Sequence, residues 1–407
     1  MNRRVVVTGM SGVTAFGNDW QSVEPKLRDC QNATQYMPSY EQYDGLNTKL
    51  AAPILDFELP KHYKRKQVRG MGRVSKLATV ATENALSQAG LIGNDVLTNG
   101  QTGIAYGSST GSTDAIGVFG VMLNEKTTKA ITATTYVQMM PHTTAVNVGL
   151  FFGLKGRVIP TSSACTSGSQ AIGYAYEAIK HGYQTVMVAG GAEELCPTES
   201  AVFDTLFATS LKNEDPKSTP RPYDSDRDGL VIGEGAGTLV LEEYEHAIAR
   251  GAKIYAEIIG FASNCDAAHV TQPQMETMQI CMEMALQNAG ITAEKIDYVS
   301  AHGTATDRGD IAESNATANA LGKVPISSLK SYFGHTLGAC GAIEAWLGLE
   351  MMHTGWFNPT LNLENLDEQC GDLDYIAGQG QELDVKYLMS NNFAFGGINT
   401  SIIFKKM

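Results

Sequence analysis

Short apolar runs that end in glycine alternate along this chain with longer stretches in which apolar residues recur every three or four positions. The first kind predicts buried strands, the second helices with one face in a core. Residues 5–7, followed by Thr8-Gly9, predict a short strand closing in a turn, and residues 75–89 a helix stopped by Gly90. Residues 102–106 predict a strand running into Gly107-Ser-Ser-Thr-Gly111, and residues 185–189 a strand ended by Gly190-Gly191. Between them, residues 158–164 read as a strand end and 167–181 as a helix, which puts Cys165 at their junction. After Gly229-Leu-Val-Ile-Gly-Glu-Gly-Ala-Gly237 come a strand over 238–241 and a helix over 242–250 that Gly251 ends. The alternation then repeats, with strands at 253–259 and 296–301, a helix at 275–289 and a further helix after Gly338. The expectation is an α/β fold in two halves, 1–250 and 251–407, sharing one interface, because no Pro-, Ser- or charge-rich linker interrupts the chain. No period of roughly 20 to 50 residues is visible, which argues against a solenoid.

Composition narrows the function classes. Hydrophobic residues at 43% and 42 glycines fit an ordered globular protein rich in tight turns. A net charge of −13 removes the broad basic field that nucleic acid or an anionic membrane needs. One local exception is the run Lys61, Lys64, Arg65, Lys66, Arg69, Arg73 and Lys76, a candidate dock for an acidic partner. The seven cysteines are odd in number, dispersed and without a CxxC pair, which fits a reducing, cytoplasmic setting better than a disulfide framework or a zinc site. The opening residues hold only three consecutive valines, too few for a signal-peptide core, and no run reaches the length of a membrane span.

Of the seven cysteines, Cys165 has the setting of a nucleophile. Thr161-Ser-Ser-Ala-Cys-Thr-Ser-Gly168 surrounds it with small residues that leave room for a substrate and for close backbone approach. Helix-start N–H groups favour an anion, so a thiol there is expected to shift toward the attacking thiolate. His302, just past a strand, and His335, just before a helix, are both strand-end loop positions, where α/β sheets bind ligands. One cysteine and two neutral imidazoles supply what a Claisen condensation needs without metal: an acyl carrier, and donors for a developing enolate.

The segments Ala164-Cys-Thr-Ser-Gly168, His302-Gly-Thr-Ala-Thr306, Lys330-Ser-Tyr-Phe-Gly-His-Thr-Leu-Gly-Ala339 and Asn392-Phe-Ala-Phe-Gly-Gly-Ile-Asn399 resemble, in order, the four signatures of the β-ketoacyl-acyl-carrier-protein synthase I/II branch. Val6-Val-Thr-Gly9, Arg221-Pro-Tyr-Asp-Ser-Asp-Arg-Asp-Gly229 and Gly233-Glu-Gly-Ala-Gly237 extend the resemblance nearly end to end. It implies a thiolase-type αβαβα five-layered sandwich of two related halves, usually a homodimer whose acyl pocket touches the partner, with a heterodimer of related subunits as the variant. It implies that Cys165 takes an acyl chain from an acyl carrier protein and that His302 and His335 assist decarboxylation of a malonyl thioester. Lys330 would be an orienting cation near His302 and Glu344, since burial beside a carboxylate favours its charged form. The N–H groups of Cys165 and Phe393 would form the oxyanion hole, and the Phe393 side chain would gate the acyl pocket. Thr304 and Thr306 would hydrogen-bond the phosphopantetheine arm, Ile116, Met139 and Phe395 would line the substrate pocket, and Lys66 and Arg69 would dock the acidic carrier. No cofactor is implied beyond the acyl groups arriving on that arm.

Two motifs are decoys. Gly233-Glu-Gly-Ala-Gly237 imitates a dinucleotide fingerprint but precedes a strand instead of opening a helix. Asp224-Ser-Asp-Arg-Asp-Gly229 imitates the start of a calcium loop, yet Glu234 falls one position short of the bidentate ligand and no helix pair flanks it. Ala394 and Ile398 stand where the family usually has Gly and Thr, and Gln138, Met139 and Met140 where long-chain members carry aromatics, which points to a dedicated pathway making polyenes or polyketides as much as to primary fatty-acid synthesis. A silent chain-length partner would lack Cys165, and a thiolase would want a second catalytic cysteine where Phe393 to Asn399 lie.

Overall fold

A computed structural model describes residues 2–407. In chain order the elements that matter are β1 (Val5–Val13), α1 (Arg73–Gln88), β2 (Thr102–Gly107), α2 (Thr113–Glu125), α3 (Ala133–Met139), α4 (Thr143–Phe152), β3 (Val158–Thr161), α5 (Ser167–Lys180), β4 (Val186–Glu193) and β5 (Gly235–Glu243). The second half adds β6 (Ala256–Cys265), α6 (Met275–Ala289), β7 (Tyr298–Ser300), α7 (Asp307–Leu321), β8 (Pro325–Ser327), α8 (Cys340–Thr354), β9 (Asp374–Tyr375), β10 (Tyr387–Ala394) and β11 (Ile398–Lys406).

The strands run in the order β9-β8-β7-β10-β11-β6-β1-β5-β4-β2-β3. This order is a repeat. In the first half β3, β2 and β4 are mutually parallel, and β5 and then β1 follow antiparallel. In the second half β8, β7 and β10 are parallel, followed by antiparallel β11 and β6. Only the short pairing of β1 with β6, Val5 to Val7 against Ile258 to Ala256, joins the two halves edge to edge.

α5 and α8, the helices that follow β3 and β8, pack on each other and on strands of both halves, while α1 and α4 cover the first sheet from outside and α6, with α7 packed beside it, the second. The layering is thus αβαβα. Because α8 lies between two sheets, nearly every side from Cys340 to Met352 is buried, and a helix apolar all round carries little amphipathic signal in its sequence. Trp346 is among its fully buried residues, and its ring occupies the space that a side chain at Gly12 would fill.

Several strand limits differ from the sequence expectation for one reason. β1 does not turn at Thr8-Gly9 but continues to Val13, and β4 passes through Gly190-Gly191 to Glu193. β5 likewise begins within the glycine run, at Gly235. These glycines are close-approach positions instead of turns: a Cβ at Gly191 would collide with the Gly338 carbonyl, one at Gly9 with that of Ala85. β3, in contrast, stops at Thr161, which leaves residues 162–166 to form the junction with α5. No described helix is long and apolar enough to cross a membrane.

Candidate active site

The junction after β3 is a strained elbow. Ala164 adopts φ +50°, a conformation that costs a residue with a side chain of order 1–3 kcal/mol, and it is held by local bonds. The Ser167 hydroxyl donates to the Ala164 carbonyl (2.7 Å) and accepts from the Ser163 N–H (2.9 Å), while the Thr161 hydroxyl donates to the Ser167 carbonyl (2.7 Å). Cys165 is thereby fixed at the mouth of α5, 3% exposed.

His335 lies beside it. Its backbone is pinned to the segment before β5, with His335 N–H to the Val231 carbonyl at 2.7 Å and Gly233 N–H to the His335 carbonyl at 3.0 Å. The Leu337 N–H donates to His335 Nδ1 (3.2 Å), which makes Nδ1 the unprotonated nitrogen and leaves the proton on Nε2, 3.0 Å from the Cys165 sulfur. His302 follows β7, its ring 5.2 Å from that of His335 and nearly perpendicular to it. Asn392 Nδ2, identified as the amide nitrogen by its 2.7 Å bond to the Glu344 carboxylate, donates also to His302 Nδ1 at 3.4 Å. His335 therefore directs its Nε2–H to the sulfur, and a ring nitrogen of His302 lies within 4.8 Å of both the sulfur and a His335 ring nitrogen. Burial, then the Lys330 charge, hold both well below the ordinary imidazole range, so both are neutral at pH 7.

Lys330, 2% exposed, places Nζ 2.5 Å from Glu344 Oε1. Burial by itself would lower its pKa, but Glu344 outweighs this and the ammonium stays charged. Donor atoms of Cys165, His302 and His335 sit within 4.8 Å of one another, as do those of His302, Cys340 and Glu344. Neither group is a ready metal site, since His335 Nε2 carries its proton toward the sulfur and Glu344 is engaged by Lys330 and Asn392.

Three expectations are corrected here. The Cys165 thiol is not poised as thiolate: burial pushes it up to about 11, and the Lys330 charge and the backbone N–H groups of Phe395 and Cys165 only partly oppose this. Phe393 does not supply the second oxyanion N–H. It is paired with Asn399 inside β10, and its side chain is buried in the second-half core with its ring 6.3 Å from His302. The backbone N–H groups that favour a negative charge on the sulfur are those of Phe395, just past the strand end, and Cys165 itself. The Phe395 side chain is half-buried against Phe203 at 5.0 Å between ring centres. Third, Ile116 and Met139 do not line the cavity over Cys165. Ile116 is 40% exposed on α2, and Met139, half-buried, closes α3.

That cavity, about 470 Å³, has Cys165, His302 and His335 at its floor and Thr304, Thr306 and Phe395 on its walls. The Thr304 and Thr306 hydroxyls are 2.9 Å apart. Lys66 and Arg69 are exposed on and beside the short helix Arg65–Val68, away from the cavity lining. Sequence reasoning missed Asp310 and Glu313, one turn apart at the start of α7. Glu313 accepts the N–H groups of His302 (2.6 Å) and Gly303 (2.7 Å), and Asp310 those of Thr304 (3.0 Å) and Ala305 (3.2 Å). Two carboxylates at i, i+3 directly after a motif histidine were the available signal.

A doubled αβ layer fold with an elbow cysteine facing two neutral imidazoles defines a ketosynthase of the thiolase fold. The profile described as "Beta-ketoacyl synthase, N-terminal domain" matches residues 2–247, and that described as "Beta-ketoacyl synthase, C-terminal domain" matches 255–364. The 3-oxoacyl-[acyl-carrier-protein] synthase 2 of Vibrio cholerae is 38% identical over 416 positions, covering 100% of this chain and 99% of the relative. The synthase 1 of Haemophilus influenzae is 36% identical, covering 99% of each. Among solved structures, a β-ketoacyl synthase from Burkholderia phymatum superposes with TM-score 0.98 at 58% identity, each chain covered completely. A type II polyketide ketosynthase in complex with its acyl carrier protein superposes at 0.89 with 30% identity, again over the whole of both. The chain belongs to the β-ketoacyl synthase family.

Proposed function

We propose that this protein is a β-ketoacyl-acyl-carrier-protein synthase that elongates an acyl chain by decarboxylative Claisen condensation with malonyl carrier protein. The observation that carries the reading is the buried Cys165 sulfur with His335 Nε2 at 3.0 Å and a ring nitrogen of His302 within 4.8 Å. In the first step Cys165 attacks the carbonyl of an acyl thioester. The oxyanion forms against the N–H groups of Cys165 and Phe395, and the thiol proton leaves on the departing pantetheine sulfur. In the second step the malonyl thioester loses carbon dioxide, and its electron pair passes into an enolate whose oxygen accepts both imidazole N–H groups. The enolate carbon then bonds to the acyl carbonyl, and the Cys165 sulfur is the leaving group that recovers a proton.

Two neutral donors suit this chemistry better than one charged one, since the enolate oxygen is negative only while it lasts and a resident cation would be costly in the buried site. Burial, and then the Lys330 charge, keep the imidazoles neutral, and Asn392, held by Glu344, sets the His302 tautomer. Phe395 gates the acyl chain, Thr304 and Thr306 bind the arm of the carrier protein, and Lys66 and Arg69 dock its acidic face. The acyl pocket is completed by a second copy of the chain. In support, β3 is an edge strand with Val158 46% exposed, and Leu150, 75% exposed, lies on α4, which packs against it, an apolar edge of the kind that pairs with another chain. The seven free thiols suit a cytoplasmic site of action.

The test is to incubate the protein and Cys165→Ala with acyl carrier proteins of varied chain length plus malonyl carrier protein and to follow products by mass. A Cys165-dependent acyl adduct and an acyl chain longer by two carbons are expected. Absence of both with every chain length overturns the reading.

A further inference from the structure

We propose that Arg308, on the lip of the reaction cavity, binds the phosphate of the phosphopantetheine arm and so makes the enzyme select phosphorylated acyl donors. The inference rests on the condensing reading above and adds to it a residue and a ligand group.

His302, Thr304, Thr306 and Arg308 line one side of the cavity, and the exposure of these four rises in that order. His302 is 6% and Thr304 9% exposed, Thr306 is half-buried, and Arg308 in the first turn of α7 is exposed. The chemistry changes in the same order, from imidazole at the sulfur, through two hydroxyls, to a guanidinium at the entrance. Gly309 keeps the hydroxyls clear, since a Cβ there would collide with Thr306 Oγ1. An acyl pantetheine arm presents a matching order: a thioester, then amides, then a phosphodiester carrying one negative charge.

Two arginines line the cavity, and they are not equivalent. Arg227 is spent on the protein: its side chain is 2% exposed and pairs with Asp367 at 2.7 Å, Asp307 at 3.4 Å and Asp310 at 3.7 Å. It also donates to the Asp224 carbonyl at 2.8 Å. Arg308 makes no ion pair and no side-chain hydrogen bond among the described residues. The neighbouring carboxylates are occupied, Asp307 by Arg227 and Asp228 by the Leu211 N–H at 2.8 Å. A free guanidinium fork at the entrance of a site in a chain of net charge −13 is placed to take a phosphate through two parallel N–H bonds.

Small donors separate this contact from recognition of the carrier's own side chains. Acylation of Cys165 is measured with an acyl-phosphopantetheine thioester, with the matching acyl-pantetheine thioester, and with the acyl carrier protein, for wild type, Arg308→Ala and Arg308→Lys. Wild type is expected to prefer the phosphorylated small donor. Arg308→Ala is expected to raise KM for that donor about tenfold, the usual scale for losing one charge-assisted contact, with kcat held and the preference over the dephosphorylated donor lost. Arg308→Lys is expected to recover part of it. Equal KM changes for both small donors, or a change confined to the carrier protein, would overturn the phosphate assignment while leaving the condensing reading intact. No acylation from any donor would instead sink the condensing reading and this inference with it.

Discussion

Residues 162–166 and residues 328–339 fill the same slot in the two halves of the repeat, the connection from a parallel strand into a central helix. The first connection is short and tight, with Ala164 at positive φ and Ser167 tying the turn, and it thrusts one sulfur forward. The second is long enough to hold a helical turn with Lys330 and then a loop with His335. Equivalent topology thus yields a nucleophile on one side and the groups that control charge on the other. The loops after β2 and β7 diverge in the same way. Ser108 and the Ser109 and Thr110 N–H groups tie onto Glu193, which itself accepts the Gly338 N–H at 3.0 Å. The loop after β7 ties onto Asp310 and Glu313 and presents His302. The lesson is that the first half fixes the position of the reacting atom, and the second sets its electrostatics.

The largest test of this division is removal of either imidazole. His302→Ala or His335→Ala should lower malonyl decarboxylation and condensation by about 10²–10⁴-fold while Cys165 still accepts an acyl group, read by mass of the adduct. A variant that loses acylation equally would break the division. Next, Lys330→Met leaves Glu344 buried without its cation and should destabilise the fold by about 3–5 kcal/mol, seen as a lower unfolding midpoint. The double variant with Glu344→Gln should recover much of that loss.

A third test concerns titration. With both imidazoles depressed, condensation by the acyl-enzyme should stay level as pH falls from 8 to about 6.5, where an ordinary imidazole takes a proton, and decline only below. Alkylation of the free enzyme by iodoacetamide should rise about tenfold per pH unit from 7 to 9, because the thiol titrates far above that range. A flat alkylation profile would restore the preformed thiolate. The smallest effect is at the elbow: Ala164→Gly relieves positive φ and adds chain entropy, so stability should change by less than about 1 kcal/mol. A loss of acylation there without loss of stability would show that the rigidity of the turn, beyond its shape, matters.

The amino-acid sequence alone determined the alternating α/β plan, the strand-to-helix setting of Cys165, the two strand-end histidines and the basic stretch around Lys66. All of these are local: periodicity, small residues and turn formers act over a few positions. It did not reveal that glycine runs such as Gly190-Gly191 are strand interiors, because their reason is a carbonyl from residue 338 pressed against them. Nor did it separate Phe393 from Phe395, since which N–H is free depends on where β10 stops pairing with β11. Nor did it show that Ile116 on α2 is exposed and Met139 at the end of α3 only half-buried, both outside the cavity over Cys165. The protonation of Cys165, His302 and His335 was decided only by the tertiary structure, because desolvation sums over every neighbour that excludes water, and those neighbours come from both halves of the chain.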